Sequence, residues 1–390
     1  MECLMIELNF SSLGLTYTNA LICAVLVAAL LLSLRRIEPR DLLPVGASQE
    51  LKGLAILSIV FAHISYMLVS DKQYLYPLSI GAGVGVDIFL CMSGYGLTVG
   101  MLKRRQAPLE FYRRRLIKVF IPLWVALLIL FAADALFLQR YYSPLYMLQS
   151  LFGWFPRADS VADVNSPFWY ISWLLLFYVL FPLLFMPARP WLTALLLAAI
   201  ANVLAVVDPL HLQVDWLHHL HTNAFSLGIL LAWALFEVPG KRNVFAEKLR
   251  RLRELAPLAR RGLLLLAIGV AGYLTAHHAV VEWPRSSNLL HEVGFNEADF
   301  IEQLASLATL VALILVVMLK RVESRFLHLF GVYSFETYLL HWPLLSRYDV
   351  FFRHLQPWLA PFAWLAAFIG VGWVLQRITA PIGAWADRHL

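Results

Sequence analysis

Apolar runs long enough to cross a hydrocarbon layer, about 17–25 residues each, recur along the whole chain. They fall near 18–34, 52–70, 80–101, 117–138, 167–186, 190–207, 221–237, 261–280, 299–319, 327–346 and 356–377. Each predicts a membrane-crossing helix, and together they predict an all-α polytopic transmembrane bundle of about ten to eleven helices. Among the runs that ionisable residues interrupt, 80–101 holds Asp87, and 327–346 holds Glu336 and His341.

The polar positions between the runs alternate in sign. Segment 103–118 carries Lys103, Arg104, Arg105, Arg113, Arg114, Arg115 and Lys118; segment 241–261 carries Lys241, Arg242, Lys248, Arg250, Arg251, Arg253, Arg260 and Arg261. Arg35, Arg36 and Arg40, the Arg189 turn, and Lys320, Arg321 and Arg325 complete a basic set, which the positive-inside rule assigns to the cytoplasm. The intervening loops are poor in Lys and Arg and hold Asp71, Asp159, Asp163, Asp208, Asp215, Glu282, Glu292 and Glu297. The alternation predicts an N-terminus outside and a C-terminus in the cytoplasm.

Composition agrees. Hydrophobic residues make up 61% and charged residues 14% of the 390 positions, with mean hydropathy +0.71. Soluble domains carry about 25% charged residues, and one soluble core could not hide this much apolar surface. The net charge of +6 belongs to the membrane-anchoring loops, so no nucleic-acid partner is expected; membrane lipids are. Cys3, Cys23 and Cys91 form no regular set, so neither a disulfide framework nor a zinc site is expected. The first run ends at Arg35-Arg36 without a cleavage pattern and reads as a retained helix. The organisation expected is an N-terminal segment with the first helix (1–47), one membrane domain (48–378) and a cytoplasmic tail (379–390).

Ionisable residues inside spans are costly and usually face a cavity or a partner. In the second run Lys52 and His63 lie eleven residues apart, about 16 Å of helical rise and close to three turns, so they share a face. A cation at the cytoplasmic mouth and a titratable base further in suit donor binding and catalysis; the alternative is a snorkelling lysine and a histidine bonded to a neighbouring helix. Gly81–Gly96 is glycine-rich around Asp87 and Ser93, which permits close helix packing or ligand approach; Asp87 could orient a histidine or hold a structural hydrogen bond. Arg113, Arg114, Arg115 and Lys118 before Pro122 read either as an anchor or as a cradle for a phosphorylated cytoplasmic donor such as coenzyme A. Ser334, Tyr338 and His341 share one helix face. Trp169–Tyr178 reads first as an interfacial aromatic belt. His211, His218, His219 and His221 with Asp215 match no standard ligand spacing, and no metal is expected.

Taken in order, these segments resemble the acyltransferase-3 family of membrane acyltransferases over about residues 48–378. The corresponding motifs here are Lys52…His63, Gly85-Val86-Asp87-Ile88-Phe89…Ser93-Gly94-Tyr95, Arg114-Arg115…Lys118 with Pro122, Trp169…Phe177-Tyr178…Pro182, and Ser334…Tyr338-Leu339-Leu340-His341. The chain departs from the family pattern at Lys52 and Lys118, where Arg is usual, and at Leu174, where many members carry Glu. The resemblance implies acyl-CoA, acetyl-CoA in the first place, as a cytoplasmic co-substrate with no bound cofactor. It implies an extracytoplasmic or lipid-linked carbohydrate as acceptor and a bacterial inner membrane as the location. It assigns His63 and Asp87 to catalysis, Lys52, Arg114, Arg115 and Lys118 to the donor, and Ser93, Tyr338 and His341 to the acceptor side or the oxyanion. A transporter or flippase of a lipid-linked or anionic substrate, or a polyprenyl-linked glycosyltransferase, would use buried charges too. The absence of paired halves speaks against transport.

Overall fold

The computed structural model describes residues 6–7, 12–38, 41–69, 74–159, 162–207, 218–237, 242–287 and 297–389. Cys3, Arg40, Asp71, Asp208, His211, Asp215, Lys241 and Glu292 lie outside them. Among the described residues, fifteen α-helices are joined by short loops, and the only strands are four of two or three residues. Nine helices among the described residues are long and apolar enough to cross a membrane, so the chain is an all-α polytopic membrane bundle.

The helices are α1 (Ser12–Leu32), α2 (Val45–Met67), α3 (Ala82–Lys103), α4 (Pro108–Leu138), α5 (Pro144–Leu151), α6 (Trp169–Leu184), α7 (Pro190–Val207), α8 (Ala224–Leu235), α9 (Val244–Glu254), α10 (Pro257–Ser287), α11 (Glu297–Leu319), α12 (Arg325–Val332), α13 (Ser334–Ser346), α14 (Phe351–His354) and α15 (Ala360–His389). Local chemistry sets their starts. Pro108 and Pro144 occupy first-turn positions that need no N–H donor. Ser143, Asn243 and Ser324 cap first turns with side-chain oxygens.

Two spans expected from the sequence come out differently in the structure. The 327–346 run is not one span but α12 and α13, broken at Tyr333, where the Ser334 hydroxyl bonds back to the Gly331 carbonyl. The 221–237 run yields only the short α8, because Thr222 and Asn223 bond to Asn202 and Gln303 instead of opening a helix. Within the basic segment 241–261 lies an amphipathic helix, α9, whose Asn243 cap also binds the carbonyls of Trp233 and Phe236. The boundary expected at 378 falls inside α15, which runs unbroken to His389.

Packing contacts close a ring: α2 lies against α3, α3 against α8, then α7, α6, α4, α15 and α13, and α13 returns to α2. α1 and the α10–α11 pair lie outside this ring. Two crossings are drawn in to backbone contact. A Cβ on Gly53 would sit 1.9 Å from the Leu327 carbonyl oxygen, and one on Gly228 would sit 2.0 Å from that of Cys91. Small residues let helices approach this closely, which in lipid replaces the hydrophobic drive.

Contacts between loops sort by charge. Residues 34–36 pair antiparallel with 322–324, joined by the Arg35–Glu323 ion pair at 2.7 Å. Lys320 meets Glu50 at 2.7 Å, and Arg253 donates to the carbonyls of Asp41, Leu42 and Met318. All belong to the basic, predicted cytoplasmic set. At the other end, Asn19 accepts from Leu75 N, the Tyr74 hydroxyl donates to the Pro357 carbonyl, and Arg347 binds Asp134, Tyr142 and the Val164 carbonyl.

Candidate active site

Near the outer end of the ring two histidines 278 positions apart meet: His63 Nδ1 lies 2.8 Å from His341 Nε2. His63 stands four residues before the end of α2, about 6 Å from it. The rings are nearly parallel, at 4°, with centroids 5.0 Å apart, so the nitrogen–nitrogen contact lies in their common plane. His341 Nδ1 faces the carbonyls of Tyr338 (2.9 Å) and Thr337 (3.2 Å). Carbonyls only accept, so Nδ1 carries the proton and Nε2 of the neutral ring accepts. His63 therefore donates from Nδ1, and its Nε2 holds a lone pair that binds nothing among the described residues. His341 is fully buried, whereas His63 keeps partial exposure, and the indole of Trp342 meets the His63 ring edge-on at 4.8 Å. Sequence spacing put both histidines on the shortlist but could not join them.

The end of the ring predicted to face the cytoplasm is cationic. Lys52 of α2 and Arg115 of α4 lie within electrostatic reach of each other, across the interior, since other helices separate α2 from α4 around the ring. Neither has a carboxylate partner among the described residues. Arg114 pairs with Glu110 at 2.9 Å, and Lys118 is exposed, near Arg114, Arg115 and Asp387. Of the four expected donor contacts, then, Lys52 and Arg115 converge inside, while Arg114 and Lys118 lie at the rim.

Between the two ends runs a file of hydroxyls. Ser93 of α3 lies near the hydroxyls of Tyr170 and Tyr178 of α6, and Tyr178 lies in reach of Arg115. Tyr170 meets Tyr338 at 5.5 Å between centroids, and Tyr338 meets His341 at 5.9 Å. The Tyr338 hydroxyl donates to the Pro167 carbonyl, so its proton is committed, and Ser93 lies along the file rather than beside the histidine pair. The segment Trp169–Tyr178, expected as an interfacial belt, is largely interior: Trp169, Tyr170 and Trp173 are buried. The reason is that its hydroxyls and indoles have polar and histidine partners there.

Asp87 orients a histidine, but not His63. Its Oδ1 accepts from His221 Nδ1 at 2.7 Å and its Oδ2 from the Ser306 hydroxyl. Trp169 stacks on His221, and Trp173 stacks on His218 at 4.7 Å. His218, His219 and His221, expected near an outer loop, are buried against α3, α6 and α11. His218 Nε2 has no hydrogen-bond partner among the described residues; burial, reinforced by His221 and His219, pushes its pKa down to about 3. Among the described residues no group of His, Cys, Asp and Glu converges as a metal site, and His211 and Asp215 lie outside them.

The bundle thus carries a hydrogen-bonded histidine pair at one end, hydroxyls between, and at the other end two cations with no carboxylate partner among the described residues. The family model for the acyltransferase domain of the acyltransferase-3 family matches residues 50–377, and the chain belongs to that family; it is a membrane acyltransferase. No curated protein and no solved structure gives a significant match.

Proposed function

We propose that the protein moves an acyl group, acetyl in the first place, from cytoplasmic acyl-CoA to a hydroxyl of an extracytoplasmic or lipid-linked carbohydrate, in a bacterial inner membrane. The observation that carries this reading is the His63–His341 pair. Its hydrogen bonds leave His63 Nε2 as a free, oriented base at the outer end of a span whose inner end bears a cation. The acceptor hydroxyl gives its proton to His63 Nε2 as its oxygen attacks the thioester carbonyl carbon. The tetrahedral intermediate then expels the thiolate, which takes that proton back from His63, leaving an ester and free CoA. The imidazolium formed in between keeps its Nδ1 proton on His341, as a triad histidine keeps its own on a carboxylate. His341 is thus a positioning residue. Lys52 and Arg115 hold the donor phosphates, with Arg114 and Lys118 at the rim; Asp87 supports the bundle through His221.

The test is acyl-CoA binding and slow CoA release by detergent-purified protein. Wild type and His63→Ala should both bind acetyl-CoA, and only wild type should release CoA. Undiminished release by His63→Ala would overturn the assignment of the base, and no binding of any acyl-CoA by folded wild type would overturn the donor.

A further inference from the structure

The outer end of α2 carries an aromatic ring that the bonding of the histidine pair does not use. Tyr66 follows His63 by three residues, so it lies on the same face of the helix and about 4.5 Å further out. It is 54% exposed, whereas Tyr74, Tyr170 and Tyr338 are buried. Trp342 of α13 touches both residues: its ring meets His63 edge-on at 4.8 Å and Tyr66 at 6.0 Å, tilted by 34°. Trp342 itself is only 5% exposed, yet among the described residues its indole N–H meets no acceptor. A buried indole N–H normally has one. Those of Trp173 and Trp364 do, on the His221 carbonyl and the Asp349 carboxylate. His63, Trp342 and Tyr66 thus set side by side a base with an unused lone pair, a donor without an acceptor and an open aromatic face.

We propose that this ledge receives the acceptor carbohydrate, its ring stacked on Tyr66 and one of its oxygens accepting from the Trp342 N–H. This rests on the carbohydrate-acceptor reading above and names the residues that hold that acceptor against His63. A pyranose carries hydroxyls around its rim and a patch of C–H bonds on its face. The face of an aromatic ring is the negative part of its quadrupole, so it attracts those weakly positive C–H groups, and the flat contact removes apolar surface from water. With one hydroxyl set against His63 Nε2, the rest of the sugar extends outward along the same helix face, over Trp342 and Tyr66. A simple alcohol would find the base and the donor but gain nothing from the ring. Tyrosines at the ends of membrane helices also serve as interfacial anchors, but an anchor needs neither contact with the residue that edges the base nor an unused donor beside it. Tyr66 has both.

Acetyl transfer by the full-length protein in detergent tests this, with acetyl-CoA as donor and two kinds of acceptor. One is a panel of methyl hexopyranosides, which present a ring; the other is glycerol, which presents hydroxyls alone. Wild type should transfer faster to at least one glycoside than to glycerol. Tyr66→Leu, which keeps bulk but loses the aromatic face, should raise the KM for that glycoside by about tenfold. Its kcat, its KM for acetyl-CoA and its transfer to glycerol should not change, because the stacking is the same before and during the reaction. Tyr66→Phe keeps the face and should stay near wild type. An unchanged glycoside KM in Tyr66→Leu, or a wild type that prefers no glycoside to glycerol, would overturn the ledge; CoA release to water would then still report the donor reading intact. A fall in every activity and in melting temperature together would assign Tyr66 to anchoring instead. Absence of CoA release by wild type with any acceptor, water included, would overturn the acyl-CoA reading and the ledge with it.

Discussion

His341 offers the sharpest separation of roles at the level of single residues. Replacing it with Phe keeps an aromatic ring but removes the acceptor for His63 Nδ1. The expected result is a fall in kcat on the order of 10²–10⁴ with donor KM nearly unchanged, read in steady-state kinetics. His341→Gln, which can still accept, should recover part of the rate; a KM effect instead would place His341 on the substrate. His218 gives a stability signature. Its folded pKa lies at about 3 against an ordinary 6.5. Between those values the unfolded chain binds a proton that the folded chain refuses, so stability falls as pH drops from about 6.5 toward 3. Melting temperature should decline across that window, and His218→Leu should flatten the decline relative to wild type. Both residues were visible in the sequence as histidines of interest. Their roles were not, because which nitrogen a histidine exposes depends on partners hundreds of positions away.

Helix crossings follow a different logic. Gly228 and Gly53 sit where a neighbouring carbonyl occupies the space of a Cβ, so Gly228→Val should lower the melting temperature sharply or prevent folding, whereas Gly96→Ala, where a Cβ would meet nothing within 4 Å, should leave it unchanged. The glycine-rich character of 81–100 was legible from sequence; which glycines pack and which stand open was decided by the placement of α6 and α8. A second element-level device ties the outer ends together. Arg347 binds Asp134, which is fully buried, while Tyr142 and Tyr348 also bond into the pair. Removing one partner of such a pair leaves a buried charge, and Arg347→Gln should cost about 3–5 kcal/mol, measurable by chemical or thermal unfolding in detergent. The break between α12 and α13 was hidden, since 327–346 is apolar enough to read as one span and Tyr333 is no helix breaker by type.

Across the whole molecule, the loops whose charge predicts a cytoplasmic position contact one another, and the predicted orientation is testable. A cysteine at Ala107 should react with an impermeant thiol reagent only from the cytoplasmic side, and one at Tyr141 only from outside; the reverse would invert the bundle and with it the side on which acyl-CoA binds. The sequence by itself determined the membrane class and the family, and it carries the prediction of orientation. These depend on composition, run length and loop charge, which are local and additive along the chain. It also named His63, Lys52, Asp87 and His341, because ionisable residues are conspicuous in apolar runs. Tertiary structure alone decided that His63 pairs with His341 rather than Asp87, that Lys52 comes within electrostatic reach of Arg115, and that Trp169–Tyr178 turns inward. Those are pairings between helices distant in sequence. A helix's own periodicity shows which residues share a face, but not which neighbour that face will meet.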